Sequence, residues 1–220
     1  MHPKSFVLFI ACLLFAGPAL AQKAPQGSTQ TYNIVGGQSD IHVRVYKAGA
    51  LGALGHNHVV SIGGLSGKVH LGASPAQSRF AFNVAVKKLI VDNAALRRRS
   101  GKQFSSKPSA SDVAGTRKNM LSAKLLNGAR FPTIKIKGKG GPKSGKKSGT
   151  LKVSVTILGR TKDINLPISL SIKGNTLTAS GSKRISHGQL GLRPFSALFG
   201  ALKVADRLDL KYRVVAKRAN

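Results

Sequence analysis

The sequence predicts an all-β chain, closed as an antiparallel barrel or packed as a sandwich, with one inserted helix. Three observations carry this. Apolar and polar residues alternate with period two through most of the chain, glycine-bearing turns separate the alternating runs, and a single stretch has helical spacing.

The clearest alternation places Ile164, Leu166, Ile168, Leu170 and Ile172 on one face, against Asn165, Ser169, Ser171 and Lys173 on the other. Gly174-Asn175 makes the next turn, and Leu177 and Ala179 resume the pattern. Leu151, Val153, Val155 and Ile157 form the preceding strand, with Gly159-Arg160 turning between. Further strands are expected at Ile41-Val43-Val45, Phe80-Phe82-Val84-Val86, Ile134-Ile136 and Leu208-Leu210-Tyr212-Val214. One apolar face per strand suits an antiparallel sheet covered on one side. Closure would remove the exposed edges that so β-rich a chain otherwise presents. The helix is expected to be capped by Ser111 or Asp112, to carry Met120, Leu121, Lys124 and Leu125, and to end at Gly128.

Residues 1–21 read as a secretory signal. His2 and Lys4 form a short basic start, Ser5 to Phe15 is almost wholly apolar, and Ala19-Leu20-Ala21 is a small-x-small cleavage pattern. Cleavage after Ala21 would leave a periplasmic or secreted chain starting at Gln22, with a flexible lead-in over 22–30 and one domain over 31–217. The only cysteine, Cys12, lies in the signal. The mature chain would then have no disulfide, thiol nucleophile or sulfur ligand.

Without Lys4 the mature chain keeps 35 of the 36 basic residues against six aspartates and no glutamate, a formal charge of +29. Such a charge favours anionic partners. For an exported protein these are anionic lipid surfaces rather than nucleic acid, and the aromatic ribonucleoprotein motifs and tryptophan are missing. The clusters are Arg97-Arg98-Arg99, then Lys102, Lys107, Arg117 and Lys118, and the loop GKGGPKSGKKSG from Gly138 to Gly149. That loop resembles a phosphate-binding P-loop only in part. Lys147 stands where Ser or Thr is needed, and a strand rather than a helix is expected next. Solvated, charged surface is the plain reading of all three.

The stretch LGALGHNHVV brings His56 and His58 one residue apart. On a strand they would share a face and could take zinc, copper, nickel or a haem. A third ligand is normally required; His42, His70 and His187 are available, and the spacing selects none of them. Lining a cavity mouth, or donating to a quinone or phosphate oxygen, are the other roles open to the pair. Hydrolase chemistry is not indicated: there is no G-x-S-x-G, no His-Glu-x-x-His, and Asp206 and Asp209 are spaced to face opposite sides of a strand.

The order of segments resembles the YceI-like family of bacterial exported proteins, also called polyisoprenoid-binding or lipocalin-like. YNIVGGQSDIHVRV is similar to its first hairpin, GLSGKVHL to its second meander, and FAFNVAVKKLIVDNAALR to its long third strand and turn. FPTIKIKG, GTLKVSVTILGRTKDINLPISLSI, ISHGQLGLRPF and KVADRLDLKYRV follow in the family's order, so that the match runs from about Thr31 to Val215. The resemblance implies an extended antiparallel β-barrel, lipocalin-like, with one inserted α-helix and a long apolar channel. It carries no catalytic constellation. Val43, Val45, Phe80, Phe82, Val84, Ile134, Ile136, Leu166 and Ile168 are then expected to line the channel, with His56 and His58 at its mouth.

The function expected is that of a periplasmic carrier for a polyisoprenoid, quinone or lipid tail, needing no cofactor. Two other readings stay open: a metal- or haem-associated protein using His56 and His58, and a basic protein with a filled core that binds anionic membrane surfaces. A monomer and a homodimer are both compatible with the sequence.

Overall fold

The computed structural model describes residues 29–219. The expected signal over 1–21, Cys12 and most of the lead-in lie outside the described residues. Gln30, placed in the lead-in by the sequence, instead opens the first strand.

Among the described residues twelve strands form one sheet. They are β1 (Gln30–Ile34), β2 (Asp40–Ala48), β3 (His58–Ile62), β4 (Leu65–Leu71), β5 (Arg79–Ala85), β6 (Leu89–Val91), β7 (Thr133–Lys139), β8 (Ser148–Ile157), β9 (Arg160–Lys173), β10 (Thr176–Ser186), β11 (Ser196–Ala197) and β12 (Leu202–Arg218). All pairings are antiparallel. The order β1-β4-β5-β7-β8-β9-β10-β12 is closed by β12 pairing back onto β1, so the sheet is a barrel and not a sandwich. β2, β3 and β6 extend the wall from the free part of β12. The chain therefore runs in one direction along β1 and β2 with one break at Gly36–Gln38, and returns along β3 and β4 with another at Gly63-Gly64.

The expected strands are present, with two adjustments. Val86 belongs to a tight turn after β5. The β8–β9 hairpin turns on Leu158 and Gly159, both at positive φ (53° and 72°), while Arg160 already opens β9. Two consecutive left-handed residues match the twist of the flanking strands. The basic loop shortens to residues 140–147, because β7 and β8 extend into both of its ends.

The helix expectation needs correcting in three ways. Among the described residues there are two α-helices, α1 (Ala94–Arg98) and α2 (Ala110–Leu121). The N-cap of α2 is Ser109: its hydroxyl accepts from the Asp112 N–H while the Asp112 carboxylate accepts from the Ser109 N–H. This reciprocal box outcompetes Ser111 or Asp112 as the start. The helix ends at Leu121 because Ser122 turns to extended backbone and its hydroxyl donates to the Asn119 carbonyl. Lys124 and Leu125 thus follow the helix, and Gly128 closes the turn through its N–H to Leu121 O. In α1 the side chain of Asn93 caps the Leu96 N–H.

Apolar side chains of α2, Val113 and Met120 among them, pack onto the core at one end of the barrel, with Val84, Val86, Leu89, Val91 and Leu126. A smaller outer cluster joins Val59, Leu96 and Phe104 to Tyr46. Among the described residues no helix is long and apolar enough to cross a membrane.

Candidate functional site

The barrel interior is not filled. Alternation on β8 points Leu151, Val153, Val155 and Ile157 inward, and all four face a cavity of about 230 Å³. Six residue steps along the strand carry the chain from the first to the last, so this wall is ~20 Å long at ~3.3 Å per residue. β9 supplies Ile164, Leu166, Ile168 and Leu170, and β12 supplies Leu210, Tyr212 and Val214. Of the residues expected along the channel, Val43, Phe80, Phe82, Ile136, Leu166 and Ile168 border this cavity. Val84 is buried in the packed core, Ile134 rests against that core, and neither they nor Val45 border the cavity. The β8 and β12 residues were missed as lining although the same alternation marks them.

Polar side chains on the lining are few: Ser78, Arg79 and Tyr212. Ser78 and Arg79 stand at one end beside Gly140, Gly141 and Pro142 of the basic loop, tied there by the Gly140 N–H to Ser78 O at 2.8 Å. Arg79 pairs in register with Lys139, and Lys143, Lys146 and Lys147 follow in the loop. None of these cations takes part in an ion pair among the described residues. The cavity thus reaches the barrel end that carries an unneutralised basic rim.

Part of the wall is held by side chains rather than by a ladder. β9 and β10 pair only from Ser169–Lys173 and Thr176–Ser180. Beyond that, the Tyr212 hydroxyl donates to the Pro167 carbonyl and Lys183 Nζ donates to the Asn165 carbonyl. Proline on an unpaired edge wastes no donor. Tyr212 can cross only because residue 181 is glycine; a Cβ there would sit 2.2 Å from Pro167 O and 2.6 Å from the Tyr212 hydroxyl. Burial raises the Tyr212 pKa, which keeps the phenol a donor.

The histidines lie away from the cavity: neither His56 nor His58 borders it. His56 precedes β3 and His58 opens it, with ring centroids 6.3 Å apart. His58 Nδ1 is bonded to the Asp92 carboxylate at 2.7 Å, and its Nε2 lies 3.5 Å from the Thr116 hydroxyl. Asp92, its side chain 1 % exposed, also accepts from the Val59 N–H and from Arg97 at 2.6 Å. Arg97 donates further to the carbonyls of Asn57 and Ser106, stapling two loops together. Arg97 is therefore an internal ion-pair member, a correction to its place in the surface cluster with Arg98 and Arg99, which are exposed. His56 Nε2 is 3.8 Å from Asp112. Among the described residues no three potential metal-ligating side chains converge on one point. His42 bonds Asp40 on its own strand, His70 bonds Thr31, and His187 is buried against the Asp206 carbonyl.

Asp206 and Asp209 do not form a pair. Asp206 accepts from the Gly188 N–H, while Asp209 gathers Arg207, Arg184, Arg44 and the Tyr46 hydroxyl on the outer wall.

An eight-stranded closed barrel around an apolar cavity is the lipocalin-like class of fold. The YceI-like domain matches residues 32–216, and the chain belongs to the YceI-like family. The crystal structure of Burkholderia cenocepacia BcnA is similar with a TM-score of 0.60 at 13% identity, covering 84% of this chain and 99% of that one. A polyisoprenoid binding domain from Saccharophagus degradans, described as implicated in plant cell wall breakdown, is similar with a TM-score of 0.58 at 9% identity, covering 86% and 98%. A Campylobacter jejuni YceI protein is similar with a TM-score of 0.51 at 12% identity, covering 73% and 84%. Comparison with curated protein sequences finds no match.

Proposed function

We propose that this protein is a periplasmic binding protein that holds a long apolar tail, of isoprenoid or acyl type, in the barrel cavity, and that it performs no catalysis. The observation that carries this is the continuous apolar wall that Leu151 to Ile157 forms beside Ile164 to Leu170, with Ser78 and Arg79 at one end of the cavity. A buried CH₂ contributes roughly 0.8 kcal/mol, so two or three isoprene units approach the ~8 kcal/mol of micromolar binding before entropy costs. The polyisoprenoid binding domain among the structural relatives supports this class of tail. Export fits the signal pattern ending at Ala21. Titrating the mature chain with geranylgeraniol should give saturable one-to-one binding at micromolar concentration. Partitioning no better than onto a filled barrel of similar size would refute the reading.

The basic rim assigns a docking side in the same proposal. Each lysine near an anionic bilayer adds about 1 kcal/mol, and this falls off within a Debye length. Replacing Lys143, Lys146 and Lys147 with Gln should weaken sedimentation with phosphatidylglycerol vesicles about 100-fold at low salt. Geranylgeraniol affinity should not change. Vesicle binding that survives both the triple variant and high salt would show that this rim is not the docking side.

A further inference from the structure

A cleft of about 410 Å³ lies on the outer wall, on the opposite face of the sheet from the cavity. On β2, Arg44 and Tyr46 alternate with the inward Val43, and on β12, Asp209 alternates with the inward Leu210. Arg184, Arg207 and Lys102 complete the charged lining, and Phe104 closes the floor against Tyr46, their rings 5.6 Å apart edge to face. Three guanidinium groups and one ammonium thus line a cleft that holds a single carboxylate.

That carboxylate orders the cluster. Asp209 accepts from Arg207 Nη2 at 2.7 Å and Nε at 3.1 Å, from Arg184 Nε at 3.3 Å and from the Tyr46 hydroxyl at 2.7 Å, with Arg44 3.7 Å away. Its pKa is held well below the usual carboxylate range, chiefly by the Arg207 hydrogen bonds. Burial opposes this, and Tyr46 and Arg184 add to it. Arg207 is also fixed over the Tyr46 ring at 4.4 Å. Asp209 does not exhaust the donors. Arg184 Nη1 and Nη2 and Arg207 Nη1 have no acceptor among the described residues. Rigid forks with spare N–H groups, excess positive charge and a pre-set orientation are what recognise a tetrahedral oxyanion.

We infer that the cleft between Arg44, Arg184, Arg207 and Lys102 is a second binding site, separate from the cavity, for a phosphate group carried on a free solute or on a lipid head. Guanidinium geometry, and not charge alone, makes the site. Lysine keeps the charge but lacks the fork, so Arg184→Lys should lose binding nearly as fully as Arg184→Ala.

The test is calorimetric titration of the full mature chain at fixed ionic strength, with glycerol phosphate as the free probe and with phosphatidic acid vesicles as the lipid one. Expected are saturable binding to wild type and at least tenfold weaker binding in both Arg184→Lys and Arg207→Lys. The Lys143/Lys146/Lys147→Gln variant should bind the free probe like wild type. Arg184 is 67% exposed on its side chain, so the fold should tolerate its replacement, and unchanged thermal midpoints would confirm it. Arginine-dependent binding of glycerol phosphate identifies the free-solute source, and the same dependence confined to vesicles identifies the lipid source. Equal affinity in the lysine variants and wild type, or no binding of either probe, would overturn the inference.

Discussion

Asp92→Asn is expected to destabilise the fold by about 3–5 kcal/mol, the cost of leaving a buried charge without its partner. The stranded group is Arg97, whose guanidinium is enclosed beside Asp92 with a buried Nε that has no acceptor among the described residues. Asn is the informative replacement. Residue 92 sits at φ 55°, a left-handed conformation that Asp and Asn tolerate better than Ala, so the variant changes charge more than backbone. Arg97→Met should cost a similar amount. The double variant should cost clearly less than the two singles summed, since removing both partners strands neither. Urea unfolding of all four proteins measures this, and a loss under about 1 kcal/mol in Asp92→Asn would mean that solvent reaches the pair.

The same residue sets an acid limit. Burial raises the Asp92 pKa, but the bonds from His58, the Val59 N–H and Arg97 outweigh it and bring the carboxyl below its ordinary value. Its folded pKa then lies below its unfolded one, so its contribution is complete above about pH 4 and is lost as pH falls through the folded value. In Asp92→Asn that part of the acid dependence should be absent.

Filling the cavity is expected to abolish tail binding without unfolding the barrel. Ala179 on β10 and Val153 on β8 both border the open space. Ala179→Trp or Val153→Phe places a ring where the tail would lie. Excluding about four CH₂ groups removes roughly 3 kcal/mol, which is more than 100-fold in affinity. The ring enters existing volume, so the thermal midpoint should hold or rise, unlike overpacking of a filled core. Wild-type affinity for geranylgeraniol in both folded variants would place the tail elsewhere.

Strand content was legible because each strand has one wet face and one dry one, as in the run from Ile164 to Ile172. Closure was legible only through the resemblance to the YceI-like family and not from alternation, since it rests on Tyr32 meeting Arg218 and Ile34 meeting Ala216 across nearly the whole chain. The channel was legible by parity alone. Val84 has the same alternation as Phe82, yet packing beside α2 fills its end of the barrel, and Val45 alternates with Val43 without bordering the cavity; no local pattern reports either. At the histidines the sequence showed a pair but not its partner. His58 is governed by Asp92, 34 residues away, and Arg97 looked like one more surface cation in a run of three. The outer cleft was hidden for a similar reason: Arg44, Arg184 and Arg207 come from three strands and meet only because β2 and β10 flank β12. The start of α2 was readable from S-x-x-D at Ser109, a capping pair overlooked in favour of the next two polar residues.

The account turns on whether the barrel holds a tail, and native mass spectrometry of protein purified without detergent tests that most directly. A one-to-one adduct that dissociates to an isoprenoid or acyl mass on solvent extraction, and is missing from Ala179→Trp, is the predicted result. An empty chain, or an adduct of the same mass in wild type and in Ala179→Trp, would contradict it.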